Sequence, residues 1–148
     1  MKDYVIRTAQ KSDVTALVEL CKKHADFEQA LYSDTNKSVL LEEKLFDSQL
    51  GIQCLVVVKD GNLVGYTTYM KQFSTWDVDF YVYLDCLYLE PEIRGLGIGK
   101  ELMYKVKTYA TAEKCIGVQW QTPNFNTKAI TFYKKIGAKS KAKERFFW

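Results

Sequence analysis

The stretch Arg94-Gly95-Leu96-Gly97-Ile98-Gly99-Lys100 follows a strand-like run and precedes an amphipathic helical one. Glycines at the mouth of a helix leave the N–H groups of its first turn open to an anion, above all a phosphate or pyrophosphate. Spacing narrows the choice of phosphate carrier. A dinucleotide fingerprint, G-x-G-x-x-G, would need glycine where Lys100 stands. A P-loop would need glycine at Arg94 and a hydroxyl at Glu101. What remains is R-x-x-G-x-G, formed by Arg94, Gly97 and Gly99.

A second segment carries its own pattern. Asn126-Thr127-Lys128-Ala129-Ile130-Thr131-Phe132-Tyr133, followed by Gly137-Ala138, reads N-x-x-A-x-x-F-Y-x-x-x-G-A. Together the two segments resemble the pyrophosphate loop and the later helix of the GNAT superfamily of acetyl-CoA-dependent N-acetyltransferases. Within it the chain is similar to the spermidine/spermine (diamine) group. Tyr4-Val5-Ile6-Arg7 with Asp13, Asp26-Phe27-Glu28, Phe73-Ser74-Thr75-Trp76 and Tyr83-Leu84-Asp85 carry that likeness. It runs from the first strand to about Ala138.

The resemblance implies a GNAT-like three-layer α+β fold, with a central, mixed, mostly antiparallel sheet and helices on both faces. It implies acetyl-CoA as co-substrate and a homodimer. Leu87, Tyr88 and Leu89 would meet the pantetheine arm. Arg94, Gly95, Leu96, Gly97, Ile98, Gly99 and Lys100 would hold the pyrophosphate, and Asn126, Thr127, Lys128 and Ala129 the thioester end. Phe27, Glu28, Trp76, Asp85, Gln119, Trp120 and Gln121 would face the amine. The group commonly has Glu-Asp where this chain has Asp85-Cys86, so the base is one methylene shorter and a neighbouring carboxylate is missing.

The chemistry explains these residue types. A lysine-like amine at pH 7 lies ~3.4 units below its pKa, so deprotonation costs about 4.6 kcal/mol before attack. Asp85 can attract the cation and accept its proton, directly or through water. Unbroken alternation from Val78 to Leu89 puts Asp85 on the polar face and Cys86 on the apolar face, which argues against a cysteine-linked intermediate. Tyr133 can protonate the departing thiolate, since a thiol near ~8.5 and a phenol near ~10 are close in acidity. The expected reaction is direct attack by a small primary amine (a polyamine, diamine or lysine-like amino acid) in a ternary complex. A protein or peptide acceptor, or a non-catalytic acetyl-CoA-binding module, are the alternatives.

Composition is compatible with this. The 148 residues suit one domain, and 47% of them are hydrophobic. Net charge is +3, with no basic stripe for nucleic acid. No run spans a bilayer and no apolar leader follows Met1, so a cytoplasmic protein without membrane contact is expected. Cys21, Cys54, Cys86 and Cys115 are scattered, so reduced thiols and no metal site are expected. The single histidine, His24, reads as a surface residue near a helix end.

The positioning elements follow from periodicity. Strands are expected at Tyr4–Arg7, 53–58, 63–72, 80–89, 115–121 and 140–148, with Asp60-Gly61-Asn62 as a hairpin turn. Helices are expected after Ser12 (stripe Val14, Leu17, Val18, Cys21), over 37–48, over 98–110 and over 126–136.

Overall fold

The computed structural model describes every residue except Asp34. In chain order the elements are β1 (Tyr4–Thr8), α1 (Val14–Phe27), α2 (Lys37–Leu45), β2 (Gln53–Lys59), β3 (Asn62–Ser74), β4 (Asp79–Leu89), α3 (Ile98–Ala112), β5 (Val118–Gln119) and α4 (Thr127–Lys135). The sheet has the order β1-β2-β3-β4-β5. All its pairs are antiparallel except β4–β5, which is parallel.

The β2 run Gln53-Cys54-Leu55-Val56-Val57-Val58 is apolar on both faces because helices cover both. Leu17, Leu20 and Leu45 of α1 and α2 pack on Cys54, Val56, Tyr66 and Tyr88. Met103, Val106 and Ala110 of α3 pack on Tyr69, Val82 and Leu84 on the other side, joined by Phe132, Tyr133 and Ile136 of α4. Three layers result. The β2–β3 turn places Asp60 at φ 50° and Gly61 at φ 78°, as a two-residue hairpin requires. The start of α1 is fastened to β1 by Arg7, whose two guanidinium nitrogens donate to Asp13 at 2.7 and 2.9 Å. That guanidinium holds the buried Asp13 carboxyl below the usual range.

Three expectations need correction. The alternation along β4 is broken: Tyr69 pairs with Leu84 and Thr68 with Cys86, leaving Asp85 as an extra, bulged residue. Leu84 therefore faces α3, while Cys86 and Tyr88 face α1. The strand expected over 115–121 shrinks to Val118–Gln119, flanked by single bonds from Ile116 N–H to Phe80 O and from Val82 N–H to Gly117 O, both 2.9 Å. Residues 140–148 form no strand, and Phe146, Phe147 and Trp148 are exposed. Alternating residue types do not make a strand without a ladder to join, and the two residues of β5 offer too short an edge.

Candidate active site

The glycine loop is built as the spacing requires. After β4, a 3-10 turn over Pro91–Ile93 leads to Arg94, then to Gly95 and Gly97 at φ 79° and 83°. Both are left-handed positions that a side chain would strain. Gly97 caps α3, and the first bond into the helix runs from Glu101 N–H to Gly97 O at 3.1 Å. The amides of Ile98, Gly99 and Lys100 thus have no partner inside α3 and point out of its positive end. The Ile98 side chain, 1% exposed, anchors this turn in the core, so only its backbone is available to a ligand. Gly99 lies against α4: a Cβ there would meet Phe132 Cζ at 3.3 Å. Lys100 and Leu96 are exposed beside the turn.

Arg94 is a brace. Its Nε–H donates to Leu89 O at 2.8 Å. Its guanidinium lies 4.8 Å from the Phe27 ring and 5.4 Å from the Tyr88 ring. Phe27 is thereby held against the glycine loop.

The pairing of β4 with β5 stops at Tyr83–Gln119, while β4 runs on to Leu89. Val82 N–H faces β5. Ladder alternation, shifted one place by the bulge, turns the N–H of Leu87 towards the same, now unpaired, edge. An edge strand with a free amide is a place for an extended arm and for a polarised carbonyl oxygen. Tyr88 is buried on the opposite side, and its backbone pairs with Tyr66.

Helix α4 packs on the same side of the sheet as Leu87, through Phe132, Tyr133 and Ile136. The Asn126 side chain caps it, accepting from Ala129 N–H at 3.3 Å. Asn126 thereby fixes where the helix starts, and Thr127 and Lys128 are exposed in its first turn. Tyr133 packs among the residues on the α3 side, with its ring edge-on to Trp120 at 5.2 Å. Burial, with the negative charge of Glu28 as a second cause, pushes its phenol up to about 12. Tyr133 is thus a neutral O–H donor across the working pH range.

Asp85 is exposed because the bulge ejects it. Its Oδ2 accepts a weak bond from the Cys86 thiol at 3.5 Å. Burial, then the Asp85 charge, pushes that thiol up to about 12, the reverse of what a nucleophile needs. Glu28, at the end of α1, accepts from His24 Nε2 at 3.1 Å. Gln119 and Gln121 are exposed beside β5, next to Trp120. Trp76 is not brought to the others: it is 95% exposed at the tip of the β3–β4 hairpin, six positions (roughly 20 Å) along the ladder from the bulge.

His24 is the residue that sequence reasoning misplaced. Only 12% of its side chain is exposed, and it is stacked on Tyr88 at 5.4 Å and bonded to Tyr66 and Glu28. The signal was present in the spacing. The stripe Leu17, Cys21 continues at helical intervals through His24 and Glu28, so the same face of α1 that enters the core carries both. Among the described residues no group of three His, Cys, Asp or Glu side chains could hold a metal, and no helix is long and apolar enough to cross a membrane.

Residues 14–138 match the model of the acetyltransferase (GNAT) family. The chain belongs to that family. A relative with a matching length is the mouse thialysine N-epsilon-acetyltransferase, 30% identical over 141 residues that cover 90% of this chain and 82% of that protein. The human spermidine/spermine N(1)-acetyltransferase-like protein 1 is 26% identical, covering 93% of this chain and 21% of that larger protein. The fold is also that of an aminoglycoside N-acetyltransferase solved with CoA, at a TM-score of 0.81 and 19% identity, covering 98% of this chain and 93% of that one. The three-layer GNAT architecture expected from the sequence is the one observed, lacking the last strand.

Proposed function

We propose that this GNAT acetyltransferase moves an acetyl group from acetyl-CoA to the primary amine of a small molecule, by direct attack in a ternary complex. The observation that carries the reading is the bulge at Asp85. One inserted residue turns a carboxylate out to solvent and, two positions on, turns the Leu87 amide to the open edge of β4. A base and an oxyanion donor are thus set side by side by a single backbone irregularity.

The residues fit the co-substrate. The left-handed Gly95 and Gly97 and the free amides of Ile98, Gly99 and Lys100 suit a diphosphate. The unpaired edge at Leu87 and Leu89 suits the arm, and Asn126 to Ala129 are read as the residues at its thioester end. Bound there, acetyl-CoA supplies an activated acyl group on a thiolate leaving group. Asp85 accepts the ammonium proton, directly or through one water, and returns it to solvent at its exposed face. Leu87 N–H stabilises developing negative charge on the acyl oxygen. Tyr133 hydrogen-bonds the departing sulfur and gives it a proton, and the second proton released by the acylated nitrogen as the amide forms restores the phenol. Burial of Cys86 in an apolar wall, with its thiol pushed up to about 12, supports direct attack over a cysteine-linked route.

The acceptor is read as a lysine-like amino acid, diamine or polyamine. The relatives' names point to such amines, and Glu28 and Asp85 supply two carboxylates for a cation. We read the assembly as a homodimer, as the family resemblance implies, with Phe146, Phe147 and Trp148 as exposed rings available to an interface. The test is a panel of thialysine, lysine, diamines, spermidine and a lysine peptide with acetyl-CoA, following released CoA. Turnover of small amines without turnover of the peptide supports the reading; peptide activity alone assigns a protein acceptor; cofactor binding without turnover assigns a non-catalytic module.

A further inference from the structure

The α1–sheet interface holds a polar chain that the reaction described above does not use. Tyr66, 1% exposed, bonds through its hydroxyl to His24 Nδ1 at 2.9 Å. Cys21 and Cys86 pack in the same cluster as Tyr66. His24 Nε2 meets Glu28 Oε1 at 3.1 Å, and the Cys86 thiol reaches Asp85 Oδ2 at 3.5 Å. Glu28 and Asp85, the two carboxylates assigned to the amine, thus both border this cluster, through His24 and Cys86 respectively.

Donor and acceptor logic fixes the tautomer. A carboxylate only accepts, so Nε2 carries the proton that Glu28 receives. Nδ1 is then the acceptor, and the Tyr66 O–H supplies its bond. Tyr88, stacked on the imidazole at 5.4 Å, limits ring rotation. The result is that Oε1 of Glu28 is tied down, while Oε2 has no partner among the described residues.

We propose that His24 is a positioning residue for the acceptor: it ties one oxygen of Glu28 so that the other is presented to the cationic end of the amine. This inference rests on the amine-acetyltransferase reading. The role belongs to Nε2–H specifically, with Tyr66 as the group that selects it. Holding the carboxylate in advance removes rotamer entropy that the substrate would otherwise have to offset. It acts on binding of the amine, not on the acetyl donor.

The test uses the whole chain, without an added histidine tag, because His24 is then its only histidine and its imidazole signals need no assignment. Proton–nitrogen correlation spectra at pH 8 are expected to show the Nε2–H tautomer in the wild type and a mixture in Tyr66→Phe. An Nδ1–H tautomer or a mixture in the wild type overturns the inference. In kinetics, His24→Asn retains a group near Nδ1 but cannot reach Glu28, whereas His24→Gln places an amide N–H near Nε2. His24→Asn is expected to raise KM for the amine by up to about tenfold, the rotamer freedom of one side chain that binding must then offset. KM for acetyl-CoA should stay unchanged, and His24→Gln should recover part of the loss. In a cycle with Glu28→Gln, the double variant should be no worse than the poorer single one. Equal losses in Asn and Gln variants, multiplying losses in the cycle, or a parallel rise in both KM values would assign His24 to packing alone and refute the proposal. A wild type that acetylates no amine refutes the functional reading itself; a wild type that does so, with His24→Asn unchanged, refutes only this inference.

Discussion

Tyr133→Phe removes one oxygen from the wall between Trp120 and α4, and its effect can be estimated from the burial of that wall. The phenol stands at about 12. Against a thiol at its aqueous ~8.5, giving up the proton would be uphill by ~3.5 units, about 4.8 kcal/mol, too much for a useful acid. The acceptor of the proton does not keep its aqueous value, however. Burial elsewhere in this protein shows the direction: the Cys54 and Cys86 thiols, on the α1 side of the sheet, are pushed up to about 12. A sulfur released into an equally apolar setting beside Tyr133 would be shifted in the same direction, so the two acids become nearly matched. Proton donation then contributes on the usual general-acid scale, and Tyr133→Phe should lower kcat by about 10²-fold while KM for acetyl-CoA changes less than about threefold. The assay is released CoA against pH, from 6 to 10.5, for both proteins. The sign is definite: a phenol raised to about 12 stays protonated throughout that range, so no alkaline limb of the wild-type profile belongs to Tyr133. A kcat within threefold of wild type, or an alkaline limb near pH 10 that vanishes in Tyr133→Phe, would refute the reasoning.

Asp85→Asn should lower kcat/KM for the amine by about 10²-fold at pH 7 and recover as the pH approaches ~10.4, where the free amine no longer needs a base; a profile parallel to wild type removes Asp85 from that role. Gly65→Ala is expected to destabilise the fold by about 1–3 kcal/mol, read by thermal melting, because its Cβ would lie 2.5 Å from Leu89 Cδ2, 3.0 Å from Tyr88 O and 3.3 Å from Val57 Cγ2. Val78, β-branched and at φ 52° in the β3–β4 turn, is strained, so Val78→Gly should raise the melting temperature, by about 1 kcal/mol of stability, without altering turnover.

What could be read from the sequence was whatever local chemistry dictates. The stripe of α1, the Asp60-Gly61 turn and the glycine mouth of α3 each follow from spacing and φ alone, and each stands where expected. Tyr133 was legible because a motif fixed its place on α4. Long-range pairing was not legible. The bulge at Asp85 depends on how Thr68 and Tyr69 of β3 register against β4, and nothing in residues 79–89 alone marks the extra residue. Asp85 is exposed, but by ejection at the bulge rather than by the alternation that puts it on a polar face, and that alternation does not hold beyond it. Trp76 failed for the same reason, since a residue near the site in sequence lies at the distant end of a hairpin. His24 failed differently: a polar residue at the end of an apolar stripe was read by its type, and its position on the buried face had the better claim.

The contact between Arg94 and Phe27 joins the glycine loop to the end of α1 by one pair of side chains. The arginine belongs to the loop that would grip a diphosphate, and the ring belongs to the last turn of α1, one residue from Glu28. Lys23, a turn earlier, reaches across to Glu90 at the foot of the same loop. Filling the loop would stiffen the end of the helix before any amine arrives, so the donor should enter first and leave last. Order of entry, a kinetic habit, would then be written in a cation resting on a benzene ring.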